Sequence, residues 1–331
     1  MKNTPFLAWL LCLCLACSDS SNGENNVPDE IISAVAKNFI NEVLDVMEAN
    51  SLNRNTIDWE SFRDEVFETA GAAQTINAVY DSGAIVRALE LLGDNHSKIS
   101  RENGEVLSAS TVICPFSDIE PPSAESIPAN IGYIFITGFN SPTEEERTSF
   151  AENLQEIIRE KDSPENIGWI VDLRPNNGGN MWPMLAGIGP ILGEGIAGYF
   201  VGPNGEETPW SYSEGSSISG QRTVTQVQNP YTLFNDGPKV AVLLDVFTAS
   251  SGEAIAISFS NRNNTSFFGT ASCGLSTANS SFVLSDESLL NLTTAVLADR
   301  QKNAFGGKIK PDFPVNNDEL IARAIEWLNN E

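Results

Sequence analysis

The chain reads as an α/β fold preceded by an N-terminal helical bundle, and three observations predict this. Apolar residues recur at helical spacing through residues 29–93, β-rich apolar runs alternate with helical segments from Ile131 onward, and small-residue turns sit where strands feed helices. With 331 residues and 41% hydrophobic content the chain can bury a full core. A formal charge of -25, from 44 acidic against 19 basic residues, argues against nucleic acid or an anionic membrane as an electrostatic partner.

In the first helix Ile31, Val35, Phe39, Val43 and Met47 form one stripe, with Ile32, Ala36, Ile40 and Leu44 beside it. Asp58 is placed as the N-cap of a second helix burying Trp59, Phe62 and Val66. A third runs from about Thr75 to a C′ glycine at Gly93. Immediately beyond lies Asp94-Asn95-His96-Ser97, with the one histidine of the chain. Taken alone, such a histidine is a surface or satisfied core residue.

Val106 to Phe116 and Ile131 to Ile136 read as strands. Ser141-Pro142-Thr143-Glu144 is a helix start with Ser141 and Glu144 as a capping box and Pro142 at N1. Trp169 to Arg174 is a buried strand, followed by Pro175-Asn176-Asn177-Gly178-Gly179-Asn180 and a helical segment from Met181 to Leu192. The paired glycines leave backbone N–H groups uncovered, which suits an anion or oxyanion pocket or simply a tight turn. Residues 197–237 read as hairpins forming an insertion or lid.

The strand Val240 to Leu244 then enters Thr248-Ala249-Ser250-Ser251-Gly252-Glu253 and a helix. A small-residue turn there can hold a serine hydroxyl at the positive end of the helix, or Thr248 or Ser250 can serve as a cap. Phe267 to Gly269, Phe282 to Leu284 and Leu289 to Leu297 are short strands, and a last helix spans about Asp318 to Leu328.

The segments Asp172-Leu173-Arg174-Pro175-Asn176-Asn177-Gly178-Gly179, Thr248 to Glu253, and Gly269-Thr270 with Gly274 together resemble the S41 peptidases, the tail-specific or C-terminal processing proteases. The resemblance covers about residues 29–315 and implies a ClpP/crotonase-like core of ββα units, with residues 94–331 as the catalytic domain. It makes Ser250 the nucleophile. Many members carry a general-base lysine 25 positions after the serine, and here that position is Leu275. Gly93 to Ser97 is similar instead to the histidine stretch of the tricorn-core branch, which implies His96 as general base. An imidazole suits the task because serine needs a neighbouring base near neutral pH.

That branch also implies an acidic or hydroxyl partner for the histidine. Asp299 is the candidate, with a surface salt bridge to Arg300 as its alternative role. Gly178, Gly179 and Ser251 are the implied oxyanion donors, each worth about 3 kcal/mol to a transition state. A PDZ domain of roughly 80 to 100 residues has no room between His96 and Ile131.

Lys2, the apolar run Phe6 to Ala16 and the residues after it have the pattern of a secretory signal, too short to span a bilayer. Ala16-Cys17 before a polar tether through residue 28 resembles a bacterial lipoprotein signal, which implies acylation of Cys17 and a membrane-anchored protein on the periplasmic side or cell surface. An ordinary signal peptide ending near Cys17 is the alternative. Cys114 and Cys273 are then the cysteines left, and one bridge between them is compatible with an oxidising compartment. Beyond the signal-like segment, which holds Cys14 and Cys17, no CxxC or HExxH spacing occurs, and neither metal nor cofactor is expected.

The expected function is therefore hydrolysis of peptides through an acyl-enzyme. A catalytically silent protein holding a peptide or apolar ligand on the same scaffold is the rival. A crotonase-like acyl-CoA enzyme is disfavoured by export and by the serine motif.

Overall fold

The computed structural model describes residues 31–115, 119–123 and 126–330. The expected signal segment, Cys17 and the expected tether lie outside the described residues.

Four helices open the chain: α1 (Ala34–Asn50), α2 (Trp59–Ala70), α3 (Ile76–Asp81) and α4 (Ala84–Leu92). Ser33 caps α1 by accepting from the Ala36 N–H at 3.1 Å, and Asp58 caps α2 as expected. The buried face of α1 is Ala36, Phe39, Ile40, Val43, Leu44 and Met47. Ile31 and Val35 fall outside it and are exposed: Ile31 precedes the helix, and Val35 sits in its first turn away from the buried face. The single third helix expected over 75–93 is two helices, broken at Gly83 with φ +83°. A left-handed residue cannot continue a right-handed helix.

The bundle does not bury its apolar face alone. Ile99, Leu284, Leu290 and Leu292 from the following sheet complete its core, so packing is continuous across the expected boundary at Gly93.

Two sheets follow. The parallel one contains β3 (Ile131–Phe135), β4 (Gly168–Asp172), β9 (Lys239–Leu244), β10 (Thr265–Gly269) and β13 (Phe313–Pro314), in the order β13-β10-β9-β4-β3. Successive side chains point to opposite faces, and both faces are covered. Trp169, Val171, Val240, Val242 and Leu244 pack under α5 (Glu144–Lys161), α6 (Met181–Leu192) and α7 (Ser251–Phe259). Their neighbours Ile170, Ala241 and Leu243 face α8 (Asn317–Asn329) through Leu320, Ala324 and Leu328. This is why these strands are continuous apolar runs rather than alternating ones.

The other sheet runs β2-β1-β12-β5-β6-β7-β8, with β11 on the free side of β12. Its strands are β1 (Lys98–Ser100), β2 (Val106–Ser108), β5 (Gly195–Val201), β6 (Glu207–Ser213), β7 (Ser216–Ser219), β8 (Arg222–Gln226), β11 (Thr277–Val283) and β12 (Leu289–Asp299).

Three sequence expectations change. The strand expected from Val106 stops at Ser108, because the chain then turns away to place Cys114 against Cys273. The hairpins of 197–237 are no detachable lid, since β5 pairs with β12 and joins them to the sheet. The cap of α5 is Thr143, not Ser141: its hydroxyl accepts from the Glu146 N–H at 3.3 Å, which puts Pro142 before the helix.

The Cys114–Cys273 disulfide has a Cα–Cα distance of 5.5 Å and closes a sequence separation of 159. Cross-linking so long a loop removes unfolded-chain entropy. Cys114→Ser should therefore cost about 2–4 kcal/mol, read as a lower urea midpoint with a steeper slope, since the unfolded chain without the bridge exposes more surface.

Candidate active site

Strands β4 and β9 are parallel neighbours, so their C-terminal ends bring two turns side by side. After β9 the chain tightens through Thr248, whose hydroxyl donates to Leu173 O at 2.9 Å and accepts from the Asp245 N–H at 3.2 Å. The turn after β4 meets it: the Ala249 N–H donates to Asn176 O at 3.0 Å, and a Cβ on Gly252 would lie 2.3 Å from that oxygen. Small residues in the second turn are therefore a packing requirement.

Ser250 stands where the turn becomes α7, at φ 52° and ψ -116°. A non-glycine residue in this region is strained, and surrounding contacts must hold it. Glu253 supplies the main one, accepting the Ser250 N–H at 2.9 Å in a capping box. Its buried carboxylate also accepts from Ser272 Oγ at 2.5 Å, Gly274 N at 2.9 Å and Leu275 N at 2.8 Å. Burial pushes this carboxyl up, and those four hydrogen bonds oppose the shift. Ser250 is thus both the helix cap and the residue held at the turn.

The two glycines divide their roles. The Gly178 N–H is occupied by Asn176 Oδ1 at 3.1 Å, so it is no free donor. A Cβ on Gly178 would sit 2.9 Å from Ser250 Cβ and 3.3 Å from its Oγ, so this glycine allows close approach to the serine. Gly179 uses its carbonyl to accept from Ser251 Oγ at 2.7 Å, pinning the start of α7 to the start of α6. Among the described residues the N–H groups of Gly179 and Ser251 donate to no protein acceptor.

His96 and Ser250 open onto one cavity of about 1030 Å³. Asp94 shapes the histidine loop by accepting from the N–H groups of His96 at 2.9 Å and Ser97 at 2.7 Å. His96 Nδ1 lies 2.7 Å from Thr277 Oγ1, and Asn279 Nδ2 donates to His96 O at 3.0 Å. Strand β11 therefore holds both ring and backbone.

Asp299 does not meet His96. Its carboxylate is buried and accepts from Asn261 Nδ2 at 2.6 Å, Asn303 Nδ2 at 2.9 Å and the N–H groups of Gln301 and Asn303 at 2.8 and 3.0 Å. It organises the turn after β12, and it does so without Arg300 as an ion-pair partner. Thr277 is the hydroxyl at the histidine. It was missed because nothing in Ser276-Thr277-Ala278 marks a hydroxyl 181 positions from the ring it meets. Glu253 did leave a signal, the Ser-x-x-Glu spacing of a capping box. Leu275, the position at which the resemblance implied a lysine, lines the cavity.

Burial lowers the His96 pKa to about 4; the nearby Asp94 charge opposes this and Lys98 adds to it. The imidazole is therefore neutral through the mildly acidic range. If it serves as base, the acid limb of kcat/KM should fall near pH 4 rather than near the ordinary value of 6.5. The same depression makes a neutral His96 stabilising above pH 6.5, a contribution lost as pH falls through about 4. A pH–rate profile measures the first and urea midpoints across pH the second.

A serine held at positive φ between a parallel strand and a helix, facing a glycine turn and sharing its cavity with a histidine, defines a peptidase-type α/β scaffold. The chain belongs to peptidase family S41, whose family model matches residues 130–315. It is 28% identical over 301 residues to the nisin-resistance protein of Lactococcus lactis subsp. lactis, covering 88% of this chain and 87% of that protein. A lipoprotein from Streptococcus agalactiae superposes with a TM-score of 0.69 at 22% identity, over 90% of this chain and 97% of that one. The photosystem II D1 C-terminal processing protease does so at 0.53 and 13% identity, over 91% and 98%. The latter two share the fold.

Proposed function

We propose that this chain is an exported serine peptidase that works through an acyl-enzyme on Ser250 with His96 as its base. The observation that carries the reading is the shared cavity, which the strained Ser250 and the one histidine of the chain both line. His96 Nε2 takes the Ser250 Oγ proton as Oγ attacks the scissile carbonyl, and later returns it to the leaving amine. For Nε2 to accept, Nδ1 must carry the ring proton and donate it to Thr277 Oγ1. The Gly179 and Ser251 N–H groups receive the developing oxyanion, which water-excluded backbone donors stabilise strongly.

Export is supported by the signal-like N-terminus and by the Cys114–Cys273 disulfide, a bond that persists in oxidising compartments. Cys17 is the proposed acylation site. Among the described residues no helix is long and apolar enough to cross a membrane. Peptides are the proposed substrates, and nisin belongs in the test panel because of the name of the Lactococcus lactis relative.

The deciding experiment treats the mature chain with a fluorophosphonate probe, maps the adduct and follows peptide cleavage by mass spectrometry. A Ser250 adduct and peptide products are expected. An unlabelled protein that still binds peptides would favour the silent-binder reading instead. Thr277→Val tests the orienting hydroxyl, with kcat expected to fall about tenfold at little change in KM.

A further inference from the structure

One wall of the cavity is a face of the antiparallel sheet. In β1, Ile99 points into the bundle core, so Lys98 and Ser100 face the other way. Strand register aligns Ser108, Lys98, Asn291 and Ser281 in one row across β2, β1, β12 and β11, and all four line the cavity. Three of them are neutral hydrogen-bonding groups, and Ser281 Oγ already donates to Asn291 Oδ1 at 2.7 Å. Lys98 is the cation of the row.

Lys98 differs from the other charged group at the cavity. Glu206 is paired with Arg54 at 3.4 Å and accepts from the Asn204 N–H at 2.9 Å. Lys98 makes no ion pair among the described residues, although acidic side chains outnumber basic ones 44 to 19 in this chain. What sets Lys98 apart from the other cations without an ion pair is its place on a cavity wall of hydroxyls and amides, where an anion brought by the ligand would find it. Its backbone is two residues from His96, about 7 Å along a strand, and an extended peptide advances about 3.3 Å per residue.

We propose that Lys98 is a specificity-determining residue that receives a carboxylate of the substrate, located within about four residues of the scissile bond. The carboxylate is either the C-terminal group of the peptide or an acidic side chain. The assignment rests on the peptidase reading above, and the test separates the two.

Three peptides of one sequence serve as probes: a Gln form with an amidated C-terminus, the same form with a free C-terminus, and an amidated form with Glu in place of Gln. Dissociation constants are measured on the full mature chain carrying Ser250→Ala, and KM on the wild type. At least one carboxylate peptide should bind about tenfold more tightly than the neutral one, the scale of a charge-assisted hydrogen bond. Which one does so names the source. Lys98→Met and Lys98→Gln should bring the ratio to about one, Lys98→Arg should keep most of it, and higher salt should shrink it. Equal binding of all three peptides, or a preference that survives Lys98→Met, overturns the assignment. Failure of the wild type to label with fluorophosphonate would sink the catalytic reading, while the binding ratios would still decide the role of Lys98.

Discussion

Ser250→Ala will abolish fluorophosphonate labelling and lower kcat/KM for any cleaved peptide by about 10⁴-fold or more, because the proposed covalent step loses its nucleophile and the neighbouring Ser251 Oγ is held by Gly179 O at 2.7 Å. His96→Ala should come close to the same loss, and the double variant should be little worse than either. Nucleophile and base act as a unit, so their effects do not add. The fold should tolerate Ser250→Ala: the bond from the Ser250 N–H to Glu253 is made by the backbone and is kept. Thermal midpoints for wild type and variant check that point. Turnover by Ser250→Ala at a tenth of the wild-type rate would remove Ser250 from the mechanism.

The second large effect is expected at Gly179. Its φ is +114°, and a Cβ there would lie 2.0 Å from Phe139 O. That oxygen accepts the Asn180 N–H at 2.7 Å, and the Phe139 N–H donates to Gly178 O at 3.1 Å, so neither partner can retreat without breaking the seam. Gly179→Ala should destabilise the protein by about 2–4 kcal/mol. It should also lower kcat by about a hundredfold through displacement of the proposed oxyanion donor. Gly193→Ala is the control. It also has positive φ, +91°, but a Cβ there meets nothing within 4 Å, so it should cost stability by backbone strain alone and leave kcat unchanged. Urea midpoints and kcat under folded conditions separate the two variants.

Much of this site was legible in the residues. Ser250 and the glycine turn sit at strand-to-helix junctions, which hydrophobic runs and small residues mark locally. His96 could be singled out because the chain has one histidine and Leu275 leaves the lysine position empty of a base. The same reasoning could not choose between Gly178 and Gly179 as a donor. That choice turned on Asn176 Oδ1 occupying one N–H. It failed at Asp299, which the branch resemblance implied as the orienting acid, although its oxygens belong to Asn261, Gln301 and Asn303.

The amino-acid order alone marked most of the helices and strands, made Trp169 to Arg174 a buried strand, and placed Ser250 in the turn between a strand and a helix. Those properties follow from side-chain period and turn chemistry, which act over a few residues. Tertiary structure decided the rest: that β11 carries Thr277 to His96, that β1 turns Lys98 toward the cavity, and that Cys273 meets Cys114. Each depends on strand pairing or packing between positions far apart in the chain. Register is set by the complementary faces of whole sheets, so no short stretch of sequence encodes it.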